Sequence, residues 1–272
     1  AIDAYRKSIS LKPDKGIFHQ NLSYALLNCG RLKEGLDEYE WRWKRTKFLS
    51  QQRHFSQPLW NGKESLDGKR ILLWSEQGIG DTIMWASRLS LLSSKSEYCI
   101  LECQEKLVPL LKLSFPNIEI KPTNSIKDLE RDDFDLHLPM GSLYRHFIKE
   151  ILQNIRVEAF LTPDPNRVKY WKKCLNSLGK GPYVGISWKS SNMSSNRIQN
   201  YSSISDWSPI FTIPNITFIN LQNKNFTDDL NKIKNDFGVT VHNFDDLDHF
   251  DDLLDVAALS AALDIVVSNK TT

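Results

Sequence analysis

Asp81 closes the string Glu76-Gln77-Gly78-Ile79-Gly80-Asp81, directly behind the apolar run Ile71–Trp74. A short continuous apolar run fills a strand buried on both faces of a parallel sheet. Gly78 and Gly80 are expected to supply backbone angles and close approaches that side chains forbid. Asp81 and Thr82 supply N-cap chemistry for a helix through Ile83, Met84, Ala86, Leu89 and Leu92. A strand, a glycine turn and a helix N-terminus leave unpaired N–H groups and a positive dipole end where phosphates and sugars are bound. GxGD lacks the third glycine of a dinucleotide fingerprint and the Lys-Ser/Thr of a P-loop, which excludes both. A cap contributing about 1 kcal/mol explains an Asp at this point as well as catalysis does.

Lys189 follows a second apolar run, and Arg197 lies in the Ser/Asn-rich loop behind it, a place for cations that hold phosphate charge. A loop of that composition is also an ordinary solvated surface. Asp246-x-Asp248, within FDDLDHFDD, has the outline of a metal-binding pair. Two alternating halves argue against that use, and the acidic run reads instead as the cap, at Asp251 or Asp252, of the next helix. No metal site is expected. Four cysteines show no CxxC pair and no zinc spacing, so they read as buried thiols in a reducing, cytoplasmic setting. Six scattered histidines form no nucleophilic triad with serine or cysteine.

The elements that must position these residues alternate. From Lys69 the order is strand, helix, then EYCILEC, a helix over Gln104–Leu113, NIEIK, FDLHLP and a helix around Leu143–Leu152. After Pro163–Pro165 and a Trp171-containing helix the pattern restarts, with YVGISW, TFINLQ, a helix over Asp228–Phe237, VTVHNF, a helix over Asp251–Leu263 and DIVVS. The fold class is therefore α/β, with Rossmann-like parallel-sheet domains over 69–165 and 166–272. Ahead of them, AIDAYRKSI and GLDEYEWRW superpose 34 residues apart, matching Asp3 with Asp37 and Tyr5 with Tyr39. That period belongs to tetratricopeptide helix pairs, expected over 1–45, and an ordinary helical hairpin is the plainer alternative. Residues 46–68 are a connector. Trp41, Trp43, Phe55 and Trp60 are expected to anchor the helices on the first sheet while the neighbouring charges stay solvated.

A formal net charge of +2 gives no general basis for nucleic-acid binding, and a 40% apolar content is enough for real cores. No stretch approaches the roughly 18 to 20 apolar residues of a membrane span. The chain opens inside a helix at Ala1 and stops just after a strand at Thr272, and so reads as a piece of a longer protein.

The segment LWNGKESLDGKRILLWSEQGIGDTIMWASRL resembles the start of the glycosyltransferase-like domain in bacterial proteins that join tetratricopeptide repeats to a GT-B fold. It is similar to the heptosyltransferase and O-GlcNAc transferase families. The resemblance implies a metal-independent, inverting transfer of sugar from a nucleotide sugar to a protein or glycan acceptor, with the substrates in a cleft between two Rossmann-like domains and no other cofactor. It implies Asp81 as general base and Gly78, Gly80 and Thr82 on the acceptor side. Lys189, Arg197, Thr271 and Thr272 are implied for the donor diphosphate. The tail SNKTT puts Lys270 where relatives carry an acidic residue, and the second domain reads as incomplete. A degenerate domain serving as a scaffold for the helices is the alternative.

Overall fold

A computed structural model describes residues 1–49, 51–123, 131–154, 158–189, 201–224 and 226–269. The chain divides into two compact units, one of Ala1–Val108 with Phe115–Phe160, the other of Leu161 onward with Pro109–Ser114.

The first unit opens with α1 (Ile2–Leu11), α2 (Gly16–Asn28) and α3 (Leu32–Tyr39), followed by a 3-10 turn at Glu40–Lys44 and the short α4 (Thr46–Leu49). Contacts descend α2 as they ascend α3, which makes the pair antiparallel. The Ser23 hydroxyl donates to Gly35 O at 2.7 Å, and earlier in α2 His19 Nδ1 lies 2.6 Å from Oε2 of Glu38, later in α3. Gly35 is required by that packing, since a Cβ there would stand 2.7 Å from Leu27 Cγ.

Four parallel strands follow: β1 (Arg70–Trp74), β2 (Tyr98–Cys103), β3 (Glu119–Pro122) and β4 (Leu136–Pro139), in the order β3-β2-β1-β4. The apolar run Ile71–Trp74 is fully covered, as a central strand with helices on both faces must be. Helices α5 (Ile79–Ala86) and α6 (Leu89–Ser93) follow β1, α7 (Val108–Ser114) follows β2, and α8 (Leu143–His146) with α9 (Ile148–Gln153) follows β4. The connector is part of this sheet. Trp60 N donates to His137 O at 2.9 Å and His137 N to Pro58 O at 3.2 Å, so Pro58–Trp60 runs parallel to β4 and covers its edge.

Three of the four expected aromatic anchors do that work. Trp43 lies 5.8 Å from Trp74, Phe55 5.2 Å from Phe134, and Trp60 5.8 Å from Phe147. Trp41 does not: it stacks on His19 of α2 at 3.6 Å. Nor do the charges neighbouring these aromatics all stay in water, because Arg42 is completely buried and Arg53 pairs with the buried Glu102. The expectation of four buried thiols also fails, since Cys29 is exposed at the α2–α3 turn. Cys99 and Cys103 are buried in β2, and burial pushes both thiols up to about 12.

In the second unit α10 (Pro165–Ser177) is capped by Asp164, whose carboxylate accepts Asn166 N at 2.8 Å, with Pro at the first helical position. Strands β5 (Tyr183–Ser187), β6 (Thr217–Asn220), β7 (Val241–His242) and β8 (Ile265–Ser268) form a parallel sheet ordered β7-β6-β5-β8, the same winding as the first. Helices α11 (Ser208–Phe211), α12 (Thr227–Phe237) and α13 (Leu253–Ala262) complete the unit. Phe218 and Ile219 point to opposite faces, one into a cluster with Ile186 and Trp188, the other into one with Trp171 and Leu259. Asp252 caps α13 by accepting Asp255 N at 2.9 Å, as the acidic run suggested. No described helix is long and apolar enough to cross a membrane.

His137 accepts a hydrogen bond from Trp74 Nε1 at 3.2 Å on Nδ1, which requires that nitrogen to be unprotonated. Burial, with the Arg53 charge beside it, lowers its pKa to about 4. Between that value and the ordinary 6.5 the unfolded chain binds the proton and the folded chain does not, so stability falls as pH drops through this window. The urea midpoint of the native protein should therefore fall from pH 7 to pH 4.5 by more than that of His137→Gln. An equal fall in both would contradict this.

Candidate functional site

β1 lies between β2 and β4, so the chain leaves it in opposite directions on its two sides. In open α/β sheets ligands bind at the carboxyl ends of the strands at such a point. The loops that meet here are Ser75–Gly78 after β1 and Met140–Ser142 after β4.

The inner part of this crevice is filled by Arg42. Its guanidinium donates from Nε to Glu76 Oε1 at 3.1 Å, from Nη1 to Glu40 Oε1 at 2.7 Å and from Nη2 to Ser142 Oγ at 2.8 Å. It lies between the rings of Tyr39 and Trp43, 4.7 and 4.6 Å from their centroids. Ser142 Oγ donates in turn to Glu40, and Gly141 N donates to Glu76 Oε2 at 3.4 Å. Burial pushes the Glu76 carboxyl up, against the pull of Arg42 and the Gly141 amide. Glu76 is thus spent on holding the fold together, although it opens the EQGIGD string.

The outer part is the turn itself. Gln77 Nε2 donates to the Tyr39 hydroxyl, and Gln77 O accepts Gln104 Nε2 at 2.6 Å. Helix α5 begins at Ile79, which corrects the expected start. Gly78 is the N-cap, Gly80 lies in the first helical turn, and Asp81 is the third helical residue. Asp81 reaches back to accept Gly78 N on Oδ2 at 3.2 Å, while its Oδ1 has no hydrogen bond among the described residues. Neither glycine has a positive φ, so unusual backbone angles do not explain them. Gly78 is exposed and open, since a Cβ there would meet only Asp81 Oδ2, at 3.4 Å. The first amides of α5 have no intrahelical acceptor and face the same side. Thr82 is buried, and its hydroxyl donates inward to Gly78 O at 3.2 Å or Gln104 Oε1 at 3.0 Å. Asp81, Gly78 and Gly80 are therefore gathered on one turn, with Thr82 beneath them.

In the second unit Lys189 is held by Gln222, whose Oε1 accepts Trp188 N at 3.2 Å and Lys189 N at 3.1 Å. The Lys189 ammonium pairs with Asp229, which also accepts Trp188 Nε1 at 2.8 Å. Asn269, from the SNKTT string, donates to Trp188 O at 2.6 Å and so ties the end of β8 to the end of β5. Arg197, Lys270, Thr271 and Thr272 lie outside the described residues. Asp246 accepts the Tyr170 hydroxyl at 3.1 Å and Asp248 caps a turn at Phe250 and Asp251. Among the described residues no three His, Cys, Asp or Glu side chains are grouped to hold a metal.

The sequence reasoning missed Arg42, Tyr39 and Gln222. For Arg42 a signal existed, a cation set between Trp41 and Trp43 in a segment whose charges were expected to stay solvated.

The two loop glycines differ in what they protect. A Cβ on Gly141 would stand 2.3 Å from Glu76 Oε1. Gly141→Ala should therefore cost about 1 to 3 kcal/mol in denaturant unfolding, whereas Gly78→Ala should cost under about 1 kcal/mol. Equal losses would contradict the assignment of Gly141 to the buried pair.

No family model matches the chain, and no solved structure matches it. Among curated proteins it is similar to protein FlbA of Caulobacter vibrioides, with 33% identity over 264 residues covering 90% of this chain and 44% of FlbA. The chain thus spans less than half the length of that relative, a distant homologue, and its two parallel four-stranded sheets are compatible with a GT-B-like fold.

Proposed function

We propose that this chain carries the acceptor and donor halves of a GT-B-like glycosyltransferase that moves a sugar from a nucleotide sugar to an acceptor hydroxyl. The observation that carries the reading is the outward turn at the carboxyl end of β1, where Asp81 keeps one carboxylate oxygen without a partner beside open amides and a side-chain-free Gly78. The repeated winding of the two sheets supports it.

In this mechanism the acceptor hydroxyl loses its proton to Asp81 Oδ1 as its oxygen forms a bond to the sugar's anomeric carbon, and the bond from that carbon to the nucleotide diphosphate breaks. The anomeric configuration inverts in the single displacement, and the reaction proceeds without a metal, as the family resemblance implies. Gly78 and Gly80 shape the acceptor side, and Thr82 fixes the turn from beneath. Lys189, Arg197, Thr271 and Thr272 take the charge of the departing diphosphate. The N-terminal helices, read as tetratricopeptide-like, select a protein or glycan acceptor.

The scaffold reading is favoured by one specific observation. Lys189 is already neutralised by Asp229 and would have to exchange that partner for phosphate.

Asp81→Asn retains an acceptor for Gly78 N and so preserves the helix cap. In a transfer assay with UDP-, ADP- and GDP-sugars it should lower turnover roughly a hundredfold to ten-thousandfold, with little change in melting temperature. Unchanged turnover in the variant would remove Asp81 as the base. Calorimetry showing no binding of any nucleotide sugar to the native chain would favour the scaffold.

A further inference from the structure

Where the connector leaves the edge of β4, the first unit holds a cavity of about 400 Å³ between the loop after Trp60, the end of α6 and the start of α9. Neither Arg42 nor any residue of the Asp81 turn lines it. Its floor is apolar. Trp60 is 5% exposed, with the His146 ring 5.0 Å and the Phe147 ring 5.8 Å away, and Leu66 is buried in the same wall. The loop is held in shape by its own hydrogen bonds: Asn61 Oδ1 accepts Lys63 N at 2.8 Å, Ser65 Oγ accepts Asp67 N at 3.1 Å, and Trp60 Nε1 donates to Glu64 O at 3.1 Å. Gly62 has a φ of 77°, and a Cβ there would collide with His146 Nδ1, so the imidazole reaches the cavity wall because this residue has no side chain.

The charged groups around the cavity oppose a charged ligand of either sign. Lys95 Nζ pairs with Glu150 at 2.9 Å and stands 5.3 Å from the Phe147 ring centroid. The side chains of Lys63, Glu64 and Asp67 form no ion pair or hydrogen bond among the described residues, and neither do the ring nitrogens of His146. Burial, and after it the Arg145 charge, hold the His146 pKa below its ordinary value against Glu40 and Asp37, so the ring is neutral at pH 7 and offers one donor and one acceptor. An anion here would face Glu64, Asp67 and Glu150, and an amine would face Lys63 and Lys95. An uncharged ring with hydroxyls at its edge and carbon on its face meets neither obstacle. Imidazole and carboxylates bond the hydroxyls, while Trp60 and Phe147 cover the carbon face.

We infer that this cavity is a binding site for one uncharged sugar ring, separate from the Asp81 turn. Its volume lies within the roughly 300 to 1,000 Å³ of small-molecule sites, and its apolar floor with a few fixed polar groups has their usual make-up. His146 exchanges a hydrogen bond with one sugar hydroxyl, and Glu64 and Asp67 accept from others. The site holds the sugar without transforming it, so it goes beyond the transfer reaction and does not depend on Asp81. The same ring chemistry is offered by a free monosaccharide and by the end of a glycan.

The test is a nuclear magnetic resonance titration of the nitrogen-labelled native chain, read at the Trp60 indole N–H and the His146 ring. The probes are glucose, galactose, mannose and N-acetylglucosamine, each as the free sugar and as its methyl glycoside. A ring of about a dozen heavy atoms binds at roughly millimolar strength at ordinary ligand efficiency, so at least one of these should shift both signals and saturate. His146→Phe keeps a ring against Trp60 and removes both nitrogens, and should weaken that sugar roughly tenfold. Glu64→Ala with Asp67→Ala, on the exposed loop, should weaken it at least roughly threefold without disturbing the fold. A methyl glycoside that binds as tightly as its free sugar assigns the end of a glycan, and one that binds more weakly assigns a free sugar. No shift at Trp60 and His146 with any sugar up to roughly 100 mM, or unchanged affinity in both variants, would overturn the inference. So would larger shifts there from inorganic phosphate or ethylamine than from every sugar.

Discussion

A guanidinium taken wholly out of water costs several kcal/mol unless charge and hydrogen bonds replace the solvent, and Arg42 obtains both from three separate parts of the chain. Glu76 comes from the end of β1, Ser142 from the loop after β4, and Glu40 with two aromatic faces from the turn that carries Arg42 itself. Losing one partner of such a pair leaves a buried charge uncompensated, at about 3 to 5 kcal/mol, so the three segments hold one another in place. The absence of a side chain at Gly141 belongs to the same arrangement, because the Glu76 carboxylate occupies that space.

This constraint divides the EQGIGD string into an inner and an outer half. Glu76 turns inward to Arg42, and Gln77 is tied to Tyr39 and Gln104. With those two fixed, the chain reaches Gly78 in extended conformation and enters α5 with Asp81 on the outside of its first turn. The position of the candidate base is thus set by side chains it does not touch, and the N-terminal helices belong to the site's framework. The second sheet reaches a comparable result through neutral groups, with Gln222 and Asn269 holding the backbone at Trp188 and Lys189. Amides suit that task, since each offers donors and acceptors without a charge to bury.

Features governed by local rules were legible in the sequence. The buried strand Ile71–Trp74, the alternation that gives two parallel sheets, and the helix cap at Asp252 all follow from patterns spanning a few residues. The start of α5 was misplaced because an Asp at the N-cap and an Asp three residues inside, reaching back to a glycine cap, leave nearly the same sequence trace. Arg42 was read as a solvated charge because its burial depends on Glu76 and Ser142, which no local window contains. Trp41 went astray for a similar reason, finding the His19 ring on α2 instead of the sheet.

The central claim is that Arg42 couples the N-terminal helices to the Asp81 turn, and hydrogen exchange on Arg42→Met measures it directly. Two amides report the coupling: Gly141 N–H, bonded to Glu76, and Thr82 N–H, bonded to Gly78 O at 3.0 Å. The account predicts that both exchange at least roughly tenfold faster in the variant while amides of β5 and β6 keep their protection. Unchanged protection at Gly141 and Thr82 in a variant that remains folded would contradict it.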